Sequence, residues 1–297
     1  MKKQLLSYGL MVMMCAGLFV SCSQDETDVA AGAATQAEAQ PNVTTVAELT
    51  ARLRNYNADV YGVTRGTRAW GNDNQQVNAT NRKLGIVTAD VSGALKGWKR
   101  FGWRGAVIGG SAYSLLKLLT NWLKPLFTNK PLVIYPSGNA VSVRDSIGYY
   151  HNVLERETYR IDSNSNLLSS TALLERMDSI MRKNSDGYAA AGTITQQNLS
   201  ALAADTDEFV ATDRDDLSFD DYCDLQIANN PEQADYINFV AEYLFVVFYG
   251  NVDVDEYTGE VLFMINHSNA DVGDAALLNS AIQVAYASSQ LPLGETN

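Results

Sequence analysis

The chain has 297 residues, of which 46% are hydrophobic, and its formal net charge at pH 7 is −12. This length and apolar content suffice for one or two globular domains with a buried core. The negative charge argues against general nucleic-acid binding, which requires a basic face that displaces the counterions of the phosphates. We therefore expect no nucleic-acid partner.

The first 22 residues have the parts of a secretory signal peptide. The start is positively charged, residues 5–20 are apolar and uncharged, and the small residue Ser21 precedes Cys22. An apolar core this short is typical of a cleaved leader rather than of a membrane span. We predict that residues 1–21 are removed.

The four residues Phe19-Val20-Ser21-Cys22 resemble the lipobox of bacterial lipoproteins, although Phe19 stands where that family usually has leucine. In the family, a diacylglyceryl group is attached to the cysteine thiol, the leader is cut off before the cysteine, and the new amino terminus is acylated. The resemblance implies that Cys22 is the lipidation site. Two membrane signals already anchor a protein stably, so this anchor would be permanent.

Residues 22–44 are predicted to be a lipidated cysteine followed by a flexible tether. Ser23 follows the cysteine, which in the lipoprotein family permits transfer out of the inner membrane. The pair Asp25-Glu26 resembles the sorting tract of lipoproteins displayed on the outer cell surface. The resemblance therefore implies a protein anchored in the outer membrane and facing outside. The alternative is that the acidic residues only keep the tether solvated.

Charge divides the rest of the chain into two regions. Residues 51–130 contain 13 Lys and Arg against 3 Asp and Glu, whereas residues 131–297 contain 7 against 26. Such segregation indicates that the two regions meet each other or meet different partners. We favour the first interpretation and predict that a basic region, 45–130, and an acidic region, 131–297, form one compact helical body.

In the basic region, the sequence predicts two helices separated by a loop. Thr45 and Glu48 have the spacing of a capping box, which starts the first helix. Residues 61–79 are polar and contain several glycines, which predicts a loop. From Leu84 to Phe101, apolar residues recur at helical spacing. A break or kink is expected between residues 102 and 110, and residues 132–143 could form one short β-hairpin.

The acidic region is predicted to be helical almost throughout. Asn230, followed by a proline and then by Gln233, is its best helix start, and Gly250 ends that helix. The other helices are expected to start at Asp145, at Ser169 or Ser170, at Thr193, at Ser218 and at Asp274. The predicted fold class is therefore mainly α, a multi-helix globular body.

The stretch from residue 82 to residue 127 is glycine-rich and contains three of the four tryptophans. Four of its glycines form two pairs, Gly93 with Gly97 and Gly105 with Gly109, and the members of each pair are four residues apart. On a helix this spacing forms a smooth strip where another backbone can approach closely. Each glycine costs about 1 kcal/mol of helix stability relative to alanine, which close packing must offset. The predicted close-packing residues are Gly93, Gly97, Gly105 and Gly109.

The same stretch also resembles the membrane-active segments of unmodified bacteriocins and of glycine-zipper proteins. That resemblance implies an antagonistic membrane-active protein as the alternative function. The residues that would contact a membrane or a partner are Trp98, Lys99, Arg100, Trp103 and Arg104. The competing interpretation, which we favour, is an internal helix pair whose basic flank is covered by the acidic region.

No catalytic residue is predicted. The chain has two histidines, His151 and His267, and no Gly-x-Ser-x-Gly motif surrounds a serine. Cys223 is flanked by Asp221 and Asp224, which raise a thiol pKa rather than activate the nucleophile. We therefore expect a buried or incidental cysteine and no enzyme.

No metal site or cofactor is predicted either. His151 and Glu155 are four residues apart, so they share a helix face and could supply two ligands, but a zinc site requires three or four. We favour a hydrogen bond on the helix face instead. The acidic run at residues 251–260 begins like a calcium loop, but Glu256 stands where the turn requires glycine.

Together these patterns predict a lipid-anchored protein of the bacterial envelope that acts by binding. Its contacts would be the membrane, through the anchor at Cys22, and an unidentified protein or glycan.

Overall fold

The computed structural model describes residues 43–65, 74–120, 146–162, 169–212 and 217–290. Within these ranges the chain forms α-helices and one short 3₁₀ helix, with no strand, which confirms the prediction of a mainly α fold. The described residues all belong to one compact unit, Asn42–Asn297. The predicted leader and tether, the predicted helix start at Asp145 and the predicted β-hairpin lie outside the described residues.

Within the described residues the chain forms eleven α-helices and one 3₁₀ helix. In chain order they are α1 (Val46–Tyr61), α2 (Asn74–Phe101), α3 (Trp103–Thr120), α4 (Ser146–Asp162), α5 (Ser170–Asn184), α6 (Asp186–Ala190), α7 (Gln196–Thr212), α8 (Phe219–Asn229), the 3₁₀ helix (Pro231–Gln233), α9 (Ala234–Tyr249), α10 (Val254–Asn266) and α11 (Val272–Ser289).

The first helix begins and ends as its sequence predicts. The Thr45 hydroxyl accepts a hydrogen bond from the Glu48 amide at 3.2 Å, and the Glu48 carboxylate accepts one from the Thr45 amide at 3.1 Å. Gly62, with a left-handed φ of 62°, ends α1. The predicted loop is wrong for residues 74–79, because α2 begins at Asn74. Those residues are polar, so no apolar spacing marks them as helical.

The starts of the later helices follow side-chain caps. Ser169 and Ser218 cap α5 and α8 as predicted. The predicted start at Asn230 is wrong in detail, since a 3₁₀ turn follows it and its side chain caps nothing. The side-chain amide of Asn230 instead donates to the Gln226 carbonyl at 3.2 Å. Helix α11 is capped by Asp271, three residues before the predicted start.

Two large apolar clusters make up most of the core, and α2 and α11 contribute to both; a small third cluster consists of Ala89, Tyr113, Phe209 and Tyr222. One cluster joins these two helices to α1, α8, α9 and α10, and the other joins them to α3, α4, α5, α6 and α7. Helix α9 has the most apolar sequence of the helices in the first cluster, and its residues Phe239, Tyr243 and Val246 are fully buried. Helices α2, α3, α4 and α11 pack against one another, so four helices enclose a common interior.

No described helix combines the length and the apolar character that crossing a membrane requires.

Candidate functional site: a buried carboxylate–histidine cluster

Helices α2 and α3 form a hairpin whose backbones touch. The turn is Gly102, with a φ of 65°. A Cβ on Gly97 would lie 1.8 Å from the Gly105 carbonyl oxygen, and one on Gly93 would lie 2.1 Å from that of Gly109. No side chain larger than hydrogen fits at these positions. The structure therefore places the four predicted close-packing glycines at the α2–α3 contact.

The close contact continues towards α4 through Gly110. A Cβ at Gly110 would lie 3.0 Å from the Asp90 carbonyl oxygen and 3.3 Å from Cδ2 of His151. The missing side chain lets the His151 ring lie directly against α3. The glycine-rich packing thus brings a polar side chain of α4 beside α2.

Three ionisable side chains meet in the interior of this four-helix arrangement. Asp90 comes from α2, and His151 and Glu155 come from adjacent turns of α4; all three residues have 0% exposure. Nε2 of His151 lies 3.2 Å from Oδ1 of Asp90 and 3.6 Å from Oε1 of Glu155. One ligand atom from each residue lies within 4.8 Å of the other two. We call these three residues the buried triad.

Neighbouring polar groups orient each member of the triad. The Ser288 hydroxyl of α11 donates to Oδ2 of Asp90, and the Ser114 hydroxyl of α3 donates to Oε1 of Glu155. The Asn152 amide nitrogen donates to the Ala287 carbonyl at 3.1 Å, so the Asn152 oxygen faces Nδ1 of His151, also at 3.1 Å. An amide oxygen only accepts, so Nδ1 carries hydrogen and Nε2 is left for the two carboxylates.

Each member of the triad has one buried polar atom without a hydrogen bond. Among the described residues, Oδ1 of Asp90, Nε2 of His151 and Oε2 of Glu155 have no hydrogen-bond partner. The contact of Nε2 with Oδ1 is therefore an ion-pair distance without hydrogen-bond geometry. Buried polar atoms are nearly always satisfied, so three unsatisfied atoms from three residues indicate a place built for a further group.

The electrostatics of the triad favour a positive charge at its centre. Burial acts to lower the pKa of His151, but the charges of Asp90 and Glu155 outweigh it and the pKa is raised. Burial is also the main cause of the raised pKa of Glu155, with the charge of Asp90 adding to it. Two buried carboxylates and one imidazole can share a proton or a metal ion. Without such a cation, burying their charges would be strongly unfavourable.

The sequence prediction found two members of the triad and missed Asp90. The four-residue spacing of His151 and Glu155 predicts that they share a helix face, and we expected a hydrogen bond on that face rather than a metal site. Asp90 is the only acidic residue between positions 74 and 144, within an otherwise apolar and glycine-rich helix. A lone carboxylate in a buried stretch was the available signal, because such a charge needs a partner.

The predicted membrane- or partner-contact residues lie around the Gly102 turn. Trp98 and Trp103 are partly buried against the core, with the Trp103 ring edge-on to Tyr188. Arg104 donates to the Gly192 carbonyl at 2.9 Å.

The cations beside this turn contact the acidic region. Lys99 lies 3.6 Å from a Glu232 carboxylate oxygen, and Arg100 makes two contacts of 3.0 Å with Asp205. The acidic region therefore forms ion pairs with this basic flank, while Lys99 and Arg100 themselves stay exposed. The membrane-active alternative requires the hairpin to leave the core and stays a prediction.

The remaining candidate nucleophile and base lie apart from the triad. Cys223 is 1% exposed, and burial raises its thiol pKa to about 12. His267 is exposed at the end of α10, stacked on Phe263. In the acidic run before it, Asp253 accepts hydrogen bonds from the amides of Asp255 and Glu256 and so caps α10.

The chain was compared with protein-family models, with curated proteins and with solved structures, and none of the three comparisons gave a match. The functional assignment therefore depends on the residues themselves. Of the predicted site residues, Cys22 lies outside the described ranges and all the others lie within them.

Proposed function

We propose that this protein is a lipid-anchored component of the bacterial cell envelope, displayed on the outer surface, whose helical body acts by binding a protein or a glycan. The observation that carries the proposal is the position of Cys22. It follows the small residue Ser21 at the end of a charged start and a short apolar core. That combination is typical of a leader that is cut immediately before a lipidated cysteine.

The proposed anchor is strong on physical grounds. Each buried methylene group contributes about 0.8 kcal/mol, and a single acyl chain gives only marginal binding. A diacylglyceryl group and an amide-linked chain on the same cysteine would together hold the protein permanently. The segment that follows, residues 29–45, is rich in Ala, Gly, Gln and Thr, a composition suited to a spacer between membrane and body.

The burial of the triad supports binding rather than catalysis. A general acid, base or nucleophile must come within hydrogen-bond distance of its substrate. Asp90, His151 and Glu155 have 0% exposure, so a substrate would reach them only if the four helices separated. Cys223 is equally enclosed. We therefore assign the activity to the outer surface of the body, in contact with another molecule.

Metabolic labelling tests the anchor. Cells supplied with radiolabelled palmitate should incorporate the label into the wild-type protein and not into Cys22→Ala. Cys15→Ala is the matched control and should keep the label, because Cys15 lies in the predicted leader and follows the bulky Met14. An unlabelled wild-type protein, or label that persists in Cys22→Ala, would refute the proposal.

Protease treatment tests surface display separately. Protease added to intact cells should degrade the helical body while a periplasmic marker protein stays intact. A body that is protected until the cells are lysed would place the anchored protein on the inner side of the outer membrane.

A further inference from the structure

We propose that Asp90, His151 and Glu155 form a structural binding site for a divalent transition-metal ion of the Zn²⁺ class. The inference goes beyond the proposed envelope function and is independent of the anchor at Cys22. It rests on the distances, the unsatisfied atoms and the outer hydrogen bonds of the triad.

The distances within the triad fit one shared ion. Zinc binds imidazole nitrogen and carboxylate oxygen at about 2.0–2.2 Å, so two ligands of one tetrahedral ion lie about 3.3–3.6 Å apart. Nε2 of His151 lies 3.2 Å from Oδ1 of Asp90 and 3.6 Å from Oε1 of Glu155. Only small adjustments of the side chains are needed to place an ion between them. Three protein ligands leave one position for a water or a hydroxyl group.

Each member of the triad also has an unsatisfied atom. Oδ1 of Asp90, Nε2 of His151 and Oε2 of Glu155 lack hydrogen bonds among the described residues, although each residue is fully buried. An ion at the centre would satisfy the lone pairs that the protein leaves open. This observation distinguishes the triad from a closed hydrogen-bond network, in which every buried group has a partner.

The outer hydrogen bonds also match those of a metal centre. Metal-binding histidines usually donate their second ring N–H to an oxygen, which fixes the tautomer and the ring orientation. Nδ1 of His151 does so to Asn152, which is itself fixed by its bond to the Ala287 carbonyl. Ser288 donates to Oδ2 of Asp90 and leaves Oδ1, the oxygen that faces His151, available. Ser114 donates to Oε1 of Glu155, which keeps a second lone pair for an ion, and Oε2 is left without a partner.

A divalent ion would balance the charges of the triad. With neutral His151, an ion of charge +2 neutralises the two carboxylates of Asp90 and Glu155. Two protons, one on His151 and one on Glu155, whose pKa values are both raised, give the same neutral sum, so the assignment of an ion rests on the distances, the unsatisfied atoms and the outer hydrogen bonds. The imidazole ligand suits zinc and its neighbours in the first transition row, whereas Mg²⁺ and Ca²⁺ prefer six or more oxygens. Because the site is fully enclosed, the ion would enter during folding.

The test counts metal in the refolded full-length protein. The protein is unfolded with chelator and refolded in detergent with either Zn²⁺ or Mg²⁺. After gel filtration removes the excess ion, inductively coupled plasma mass spectrometry measures the metal content per chain. We expect about one zinc ion per chain and no magnesium. Zinc should also raise the melting temperature by about 5–10 °C at a hundredfold excess over the Kd.

Matched variants localise the ion. Asp90→Asn and Glu155→Gln keep the side-chain shape and should lose the zinc, whereas His267→Gln removes the exposed histidine and should keep it. Every variant retains the same cysteines, so zinc bound by thiols would not differ between them. Zinc retained by a folded Asp90→Asn variant, or absent from the refolded wild type, would overturn the proposal.

A measurement on the wild type alone covers the case in which the variants do not fold. After refolding with Co²⁺, X-ray absorption should report nitrogen and oxygen ligands with one imidazole and no sulfur. Sulfur in the coordination shell, or no bound cobalt, would contradict a site made by the triad. None of these outcomes depends on whether Cys22 carries lipid.

Discussion

At the scale of single residues, the burial of the carboxylate determines how much an ion pair contributes to the free energy of unfolding. Glu242 of α9 has only 2% of its side chain exposed and accepts hydrogen bonds from Nε and Nη2 of Arg54 at 2.9 and 2.7 Å. Lys99 and Glu232 are both exposed and lie 3.6 Å apart. Removing the cation from the first pair leaves a buried carboxylate uncompensated, whereas the second pair is already solvated.

We expect Arg54→Met to lower the free energy of unfolding by about 2 kcal/mol, a value reduced from that of a fully buried pair because Arg54 is half exposed. Lys99→Met should cost less than about 1 kcal/mol. Urea denaturation of both variants measures the difference. Equal losses would show that burial of the carboxylate is not what matters here.

The triad illustrates how far single-residue patterns reach. The spacing of His151 and Glu155 is local, so helical periodicity alone predicts that they share a face. Asp90 lies on a different helix, and its proximity depends on the contact of α2 with α3 and α4. No local pattern encodes that contact. His151 and Glu155 are therefore predictable as a pair, whereas the sequence marks Asp90 only as a charge that needs a partner and does not show which partner it meets.

At the scale of elements, the α2–α3 hairpin depends on its glycines. Gly97 and Gly105 face each other with no room for a methyl group on either side. Gly259 provides a contrast, because it also lies inside a helix but a Cβ there would have nothing within 4 Å.

We expect Gly97→Ala to lower the free energy of unfolding by about 3 kcal/mol, since the methyl group forces two backbones apart. Gly259→Ala should raise it by about 0.5–1 kcal/mol, because alanine favours the helix and meets no obstacle. Thermal or urea unfolding of the two variants gives both values. A Gly97→Ala protein as stable as the wild type would disprove the close contact.

Helix boundaries were predictable where a side chain caps the helix and less so elsewhere. Thr45, Ser169 and Ser218 are recognisable caps, and the structure uses all three. Helix α2 begins ten residues before Leu84, in polar residues that show no apolar period. At Asn230 the expected cap is replaced by a 3₁₀ turn, because its side chain bonds back to Gln226.

At the scale of the whole molecule, the described residues of the basic and acidic regions lie in one compact unit. The ion pairs of Arg54, Arg65, Lys99 and Arg100 all reach residues beyond position 200. Within the described part of the chain, basic residues of the first region thus contact acidic residues of the second. The core beneath these pairs also encloses many tyrosines, four of which are at most 2% exposed: Tyr113, Tyr188, Tyr243 and Tyr257.

These tyrosines predict a loss of stability in alkali. Burial is the main cause of their raised pKa values in the folded protein, whereas the unfolded chain ionises near pH 10. Below about pH 10 these four tyrosines are protonated in both states, so they do not make stability depend on pH. Above it only the unfolded state releases protons, so stability falls as pH rises.

The urea midpoint should therefore decrease above about pH 10. The absorbance of ionised tyrosine at these four positions should appear only as the helical circular dichroism is lost. Complete ionisation of all tyrosines while the helical signal persists would contradict the burial of these rings.

The most direct test of the central claim is the intact mass of the amino-terminal peptide of the mature protein purified from bacterial membranes. We predict that Cys22 is the first residue and that it carries a diacylglyceryl group on its thiol and an acyl chain on its amine. A peptide that still contains residues 1–21, or a mature terminus with an unmodified Cys22, would contradict a lipid-anchored envelope protein.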